Sequence, residues 1–189
     1  VRIPFVMADL AVLDACADAG LMVIADFPVD PSVVTGTDAE QQALALAFEE
    51  YVTDLKDHPA LLMWCVGADV RATLTGAAAA DKATWAKLLS LLAWLAADIE
   101  GDAYHPVTSV SPVEDADDIG GLDLWGFDLT GVNDMTTRRT LLDDIEAAVP
   151  GEAFWISGFG VSAWDQGSNT VSEPLQAETA LDFADAIAE

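Results

Sequence analysis

Short apolar runs recur along the chain, and glycine, proline or acidic residues bound them. Runs of about four to eight apolar residues with such boundaries are typical of strands that are buried on both faces. The clearest is Leu61 to Val66, and an earlier one is Leu21 to Ala25. Three further runs predict strands of the same kind: Val107 to Val110, Leu122 to Phe127 and Phe154 to Ser157.

Apolar residues at intervals of three and four predict amphipathic helices between these strands. Thr37 and Glu40 have the spacing of a capping box, which predicts a helix from Thr37 to Lys56. Gly20 follows a helical pattern and is typical of the residue just past a helix end. The other helical faces are marked by Leu10, Leu13, Cys16 and Ala17, by Trp85, Leu88, Leu89, Leu92, Leu95 and Ile99, by Leu141, Leu142, Ile145 and Val149, and by Leu181, Ala184 and Ile187.

The order of strand, helix, strand, helix is typical of an α/β fold with a parallel sheet. No linker, fixed-period repeat or low-complexity segment interrupts the chain, so we expect a single domain over residues 1–189. Binding and catalytic residues of parallel α/β folds lie at the carboxyl ends of the strands. The candidate chemistry is therefore sought at those ends.

The net charge of the chain excludes some classes of binding partner. Seven basic residues accompany 33 acidic ones, giving a formal net charge of −26. Nucleic acids and anionic membranes both require Lys and Arg at the contact, so we expect neither as a partner. No apolar run approaches the ~18 residues of a membrane span. No signal peptide is visible either.

The composition resembles that of proteins from halophiles that accumulate salt in the cytoplasm. Only three Lys occur, Asp outnumbers Glu, and Ala is abundant. Self-repulsion of such a charge destabilises the compact state at ~0.15 M salt and is largely screened near ~1 M. We therefore expect a cytoplasmic protein of a salt-in halophile, with an ordinary acidic protein as the alternative.

Two cysteines and two histidines leave little scope for a metal site. Cys16 falls in a helical pattern and Cys65 in an apolar run, so we expect two buried thiols, with a disulfide as the alternative. The His and Cys residues show no metal-ligand spacing. The sequence therefore predicts neither a metal nor a cofactor.

Acidic and aromatic side chains collect at the predicted strand ends. Trp and Asp together suit a sugar, because the C–H faces of the ring stack on indole and carboxylates accept hydrogen bonds from hydroxyls. A Trp on a strand is also typical of a core, and both interpretations stay open. The candidate substrate-binding residues on this argument are Asp26, Trp64, Trp125, Asp128, Trp164 and Asp165.

Four segments, in order, resemble the barrel of clan A glycoside hydrolases, most closely the family 2 type of β-galactosidases, β-mannosidases and β-glucuronidases. His58 to Asp69 (HPALLMWCVGAD) is similar to that family's fourth strand, H-P-S-hydrophobic-x-x-W-x-x-G-N-E. Leu13 to Ile24 is similar to the family's run from L-D to G-L-hydrophobic-V. Asp123 to Asp128 resembles the sixth strand, D-V-x-G-V-N, and Trp155 to Gly160 resembles the seventh, x-x-S-E-F-G.

The resemblance implies a (β/α)8 TIM barrel of which about six of the eight strands are present. Val1 to Ile3 corresponds to the end of the second strand, while the first and last strands are absent. A complete barrel takes about 250 residues, so we expect an incomplete one. Six strands leave two open edges, which a second copy or another chain would cover.

The chain departs from the family at the catalytic positions that the resemblance implies. The acid/base Glu corresponds to Asp69, and the Asn before it to Ala68. The nucleophile Glu corresponds to Gly158, and the sixth-strand Asn to Asp128. Retaining hydrolysis needs two carboxyl groups ~5–5.5 Å apart, and glycine offers none. We therefore expect a glycoside hydrolase-like domain that is inactive or severely impaired and keeps a role in carbohydrate binding or scaffolding.

Two alternative functions remain open at this stage. One is an active β-glycoside hydrolase with Asp69 as acid/base, in which a displaced carboxylate, Asp26 or Asp165, or a water replaces the nucleophile. An inverting route of that kind needs ~6.5–9.5 Å between the carboxyl groups. The other is a structural interaction module whose open edges bind another chain.

Overall fold

The computed structural model describes residues 1–3, 10–68, 70–74, 76–101, 104–113, 121–130, 135–161, 164–165, 170–171 and 173–188. Its centre is a six-stranded parallel sheet, curled into half of a barrel, in which each strand pairs with the next along the chain. The strands are β1 (Arg2–Ile3), β2 (Val23–Phe27), β3 (Leu61–Val66), β4 (Val107–Val110), β5 (Leu124–Thr130) and β6 (Phe154–Gly160). This confirms the predicted α/β class, and the half-barrel sheet is consistent with an incomplete α/β barrel.

Within the described residues a helix follows each strand of this sheet except β4, as is usual for the crossovers of a parallel sheet. They are α1 (Leu10–Asp18), α2 (Asp38–Leu55), α3 (Val70–Thr73), α4 (Ala79–Glu100), α5 (Met135–Ala148) and α6 (Glu173–Ala188). The sequence patterns did not predict α3, a 3-10 turn at Pro31–Thr35 or a short antiparallel pair, β7 (Trp164–Asp165) with β8 (Thr170–Val171). No helix in the described part of the chain is long and apolar enough to cross a membrane.

The two faces of the sheet differ in size and composition. The outer face packs against the helices and forms the main core, a single cluster that includes Trp64 and Phe127 of the sheet, Phe48 of α2 and Trp85 of α4. The inner face carries a second, smaller cluster that contains no residue of a helix. That cluster consists of Ile24, Met63, Cys65 and Val110, with Ala68, Leu124 and Trp155 packed against it.

The predicted helix ends are present in the structure. Thr37 and Glu40 form the reciprocal capping box at the start of α2. Gly20 follows α1 with a φ of 70°, and the amides of Gly20 and Leu21 donate to the carbonyls of Ala17 and Cys16. This Schellman arrangement satisfies carbonyls that the helix end would leave without partners, and it needs a residue that tolerates positive φ.

The two cysteines are free thiols. Cys65 is buried, while Cys16 is only half-buried. Separately, β5 starts two residues later than predicted. The strand predicted from Leu122 begins at Leu124, although the amide of Asp123 already donates to the carbonyl of Val107 in β4 at 3.0 Å.

Candidate functional site

A cleft of about 320 Å³ lies at the carboxyl ends of β4 and β5, beside α3. This is the edge at which parallel α/β folds hold their ligands. The wall contains hydroxyl and carboxylate groups next to apolar side chains. Its described lining residues are Ala72, Val110, Ser111, Pro112, Asp128 and Thr130.

Asp128 and Thr130 occupy the space beside Gly158. In the ladder between β5 and β6, Asp128 is the partner of Gly158. A Cβ atom added to Gly158 would lie 2.8 Å from Asp128 Oδ1 and 2.8 Å from Thr130 Oγ1. The amide of Thr130 donates to Asp128 Oδ1 at 2.8 Å and holds the carboxylate there. An aspartate carboxylate therefore borders the position that the resemblance assigns to the nucleophile.

Ser111 brings a buried hydroxyl to the same cleft. The residue is 4% exposed, and its amide donates to the carbonyl of Gly126 at 3.0 Å. Its Oγ has no hydrogen-bond partner among the described residues. A buried hydroxyl without a partner costs about 1–3 kcal/mol, so a group of this kind marks a place where a ligand can complete the bonding.

Trp155 lies on the inner face, next to the cleft. Its indole crosses Gly126, where an added Cβ would lie 2.9 Å from Trp155 Nε1 and 3.1 Å from the Ser109 carbonyl oxygen. The Nε1 atom donates to Thr108 Oγ1 at 2.9 Å. The ring packs against the inner cluster that includes Val110, so a fixed aromatic surface supports one wall of the cleft.

Asp26 is engaged in an ion pair. It is 4% exposed, and its Oδ2 lies 2.9 Å from Arg2 Nη2, with Arg2 Nε donating to both carboxylate oxygens. The backbone carbonyl of Asp26 also accepts a hydrogen bond from the Tyr51 hydroxyl at 3.0 Å. A carboxylate held in this way links β1 to β2, and it does not belong to the described lining of the cleft.

The predicted substrate-binding role of Trp64 and Trp125 requires a correction, because the structure places both side chains in the helix-facing core. They are 0% and 3% exposed. Trp64 Nε1 donates to Glu100 Oε1 at 3.1 Å, and Trp125 Nε1 donates to Glu152 Oε2 at 2.8 Å. Neither indole is available to stack on a sugar, so the core interpretation applies to both.

The remaining predicted site residues are Ala68, Asp69, Trp164 and Asp165. Ala68 is half-buried and packs against the inner cluster. Asp69 lies outside the described residues. Trp164 and Asp165 form β7, which pairs with β8 in an antiparallel ladder.

Sequence reasoning assigned no role to Val110, Thr130 or Trp155. Thr130 follows Asp128 by two residues, and the period of a strand puts such residues on the same face, so this signal was present. For Trp155 no signal distinguished the two faces, because β6 is apolar on both. Within the described residues, no three His, Cys, Asp or Glu side chains form a group that could hold a metal ion.

The fold of this chain is similar to the folds of several solved structures. No protein-family model and no curated protein matches the chain. A β-glucuronidase from Bacteroides uniformis superposes with a TM-score of 0.75 at 14% identity, covering 100% of this chain and 24% of that one. A GH2 β-galacturonidase from Eisenbergiella tayi, bound to galacturonate, superposes with a TM-score of 0.70 at 16% identity, covering 100% and 35%.

A third neighbour, a β-glucuronidase from an uncultured Clostridium species, has a TM-score of 0.71 at 14% identity and covers 100% of this chain and 35% of that one. The chain thus spans about a quarter to a third of the length of these structures. At such low identity the likeness concerns the fold alone. The chain has a fold similar to that of GH2 glycoside hydrolases.

Proposed function

We propose that this chain is a carbohydrate-binding domain with a GH2-like fold that does not carry out retaining glycoside hydrolysis. The observation that carries the proposal is the Gly158 position. Retaining hydrolysis needs a nucleophilic carboxylate ~5–5.5 Å from the acid/base carboxyl group. Gly158 supplies none, and oxygen atoms of Asp128 and Thr130 fill the space into which a longer side chain would extend.

The cleft supports a sugar as the ligand. Asp128 offers an acceptor and Ser111 and Thr130 offer hydroxyl groups, all within one cleft of about 320 Å³. Val110 and Pro112 add apolar surface beside them. Ligand sites combine such apolar walls with a few polar groups that fix orientation. The structural neighbours include two β-glucuronidases and a β-galacturonidase, which makes glycosides the first ligands to test.

A second candidate function is glycoside hydrolysis in which Asp128 supplies a carboxylate. The observation that favours it is the Asp128 carboxylate beside Gly158. Asp26 is a weaker candidate for this role, because Arg2 holds it in a buried ion pair. In this second function Asp69 would be the acid/base residue, as the resemblance implies.

One experiment separates the two functions. The full chain is incubated in about 2 M KCl with p-nitrophenyl β-galactoside, β-glucoside and β-glucuronide, and binding of the corresponding methyl glycosides is followed by saturation-transfer NMR. We expect NMR binding and no release of p-nitrophenol above a blank. Turnover that disappears in Asp128→Asn but persists in Asp54→Asn, an exposed control on α2 with the same change in charge, would establish the hydrolase instead.

A further inference from the structure

The charge of the cleft discriminates between classes of sugar. Among the described lining residues there is one carboxylate, that of Asp128, and no basic side chain. The whole chain contains seven basic residues. They are Arg2, Lys56, Arg71, Lys82, Lys87, Arg138 and Arg139.

Two described basic side chains, those of Arg2 and Arg71, have partners that are not among the described lining residues. Arg2 is paired with Asp26 between β1 and β2, on strands that do not supply the described lining. Arg71 directly precedes the cleft residue Ala72 in sequence, but it is 1% exposed and its Nη1 donates to the carbonyl of Lys82 at 3.3 Å. A negatively charged ligand in the cleft would therefore meet Asp128 without a described cationic partner.

Hydrogen-bond chemistry leads to the same conclusion. A carboxylate of a ligand only accepts hydrogen bonds, and so does an ionised Asp128, so the two cannot bond to each other. A ligand hydroxyl can donate to Asp128 and accept from Ser111, whose buried Oγ has no partner among the described residues. The polar groups of the cleft thus match neutral hydroxyl groups.

We propose that the cleft binds glycosides with neutral ring substituents and rejects uronates, the sugars that carry a carboxylate at C6. This inference rests on the proposed carbohydrate-binding function and specifies its ligand class. Two like charges about 5 Å apart near a protein surface repel enough to reduce affinity by an order of magnitude or more. The net charge of −26 adds to this repulsion at low salt.

The test compares methyl β-D-glucoside with methyl β-D-glucuronide, which differ only at C6, by NMR titration of the full chain. We expect the neutral glycoside to bind about 10-fold more tightly or better. In Asp128→Asn the preference should shrink to about 3-fold or less, because the amide can donate to the uronate. The control Asp54→Asn changes the net charge equally on the exposed surface of α2 and should leave the preference unchanged.

The outcomes separate this inference from the function on which it rests. Glucuronide binding as tight as that of the glucoside, or a preference that Asp54→Asn reduces as much as Asp128→Asn does, would overturn the inference and leave carbohydrate binding intact. Failure of both glycosides and of their galacto counterparts to bind would overturn the proposed function and the inference with it. Circular dichroism melting of each variant verifies that binding is compared between folded proteins.

Discussion

At the scale of single residues, the side chains around Gly158 limit what a glutamate introduced at this position could do. Glu at this position would place its Cβ 2.8 Å from Asp128 Oδ1 and would add a second negative charge beside it. Two neighbouring ionised carboxylates repel each other. We expect Gly158→Glu to show no hydrolysis of aryl β-glycosides and to lose about 1–3 kcal/mol of stability through overpacking.

Combining Gly158→Glu with Asp128→Asn removes the like charge and restores the amide that the resemblance places at this position. We expect the double variant to release more p-nitrophenol than either single variant, measured side by side in high salt. Equal rates in Gly158→Glu and in the double variant would show that the Asp128 charge has no influence on this position.

The ionisation of Tyr51 makes the stability of the core depend on pH. Burial, followed by the nearby charges of Asp26 and Cys65, raises the pKa of Tyr51 well above its ordinary value. A pKa that is raised in the folded state gives stability that is complete below the unfolded pKa of about 10 and is lost as pH rises above it. The free energy of unfolding should therefore fall in strongly alkaline solution.

The measurement uses Tyr104→Phe, which leaves Tyr51 as the only tyrosine of the chain. We expect no tyrosinate absorbance at 295 nm near pH ~10 while the far-ultraviolet circular dichroism is native. Tyrosinate should form only together with unfolding. Ionisation near pH ~10 in a folded sample would contradict the burial of Tyr51 between Phe27 and Trp64.

At the scale of elements, the contact between β3 and α4 depends on Gly67. This residue follows β3 with a φ of 56°, and an added Cβ would lie 2.8 Å from Cζ2 of Trp85, whose side chain is completely buried. Gly20 is a matched control, because it has a φ of 70° and an added Cβ would meet no atom within 4 Å.

We expect Gly67→Ala to lower the free energy of unfolding by about 2–4 kcal/mol, since it combines strain at positive φ with overpacking. Gly20→Ala should cost only about 1 kcal/mol, the contribution of the backbone conformation. Urea denaturation of both variants measures the difference. Similar losses in the two would mean that α4 can move away from the end of β3.

The elements themselves were largely predictable, and the orientation of their side chains was not. Apolar runs with clear boundaries predicted β3 and β4 at their observed limits, and one capping box predicted the start of α2. A strand buried on both faces shows no alternation, so the sequence could not tell that Trp64 faces the helices and Met63 the inner side. The contact of Asp128 with Gly158 depends on the register between β5 and β6, which no local pattern contains.

At the scale of the whole molecule, the net charge of −26 acts on folding. Arg2 pairs with Asp26 and Lys56 with Asp57, but seven basic residues accompany 33 acidic ones, so most acidic residues contribute to a common repulsion. We expect the melting temperature to rise by about 10 °C between ~0.1 M and ~2 M KCl, which is roughly 3 kcal/mol for a domain of this size. Equal melting temperatures at both salt concentrations would contradict the halophilic interpretation.

Charge and open edges together determine whether copies of this chain associate. Within the described residues, β1 and β6 each pair with one neighbouring strand, so both ends of the sheet present unpaired backbone groups. Such edges favour pairing with another chain. Because each copy carries the same large negative charge, the repulsion between copies should oppose this pairing at low salt and weaken as the Debye length falls.

We therefore expect light scattering to detect a monomer at ~0.1 M KCl and larger species, increasing with protein concentration, at ~2 M KCl. Phe159 of β6 is 52% exposed, and its ring centroid lies 5.0 Å from that of Phe183 in α6. Phe159→Lys should reduce the association, because a charged edge resists pairing, and circular dichroism melting verifies that the variant stays folded without this ring contact. Leu181→Lys, at a residue of α6 that is 68% exposed, makes the same change in charge away from the sheet and should not reduce it. Association that responds equally to both substitutions, or that decreases as salt rises, would assign it to surface charge and not to the edge of β6.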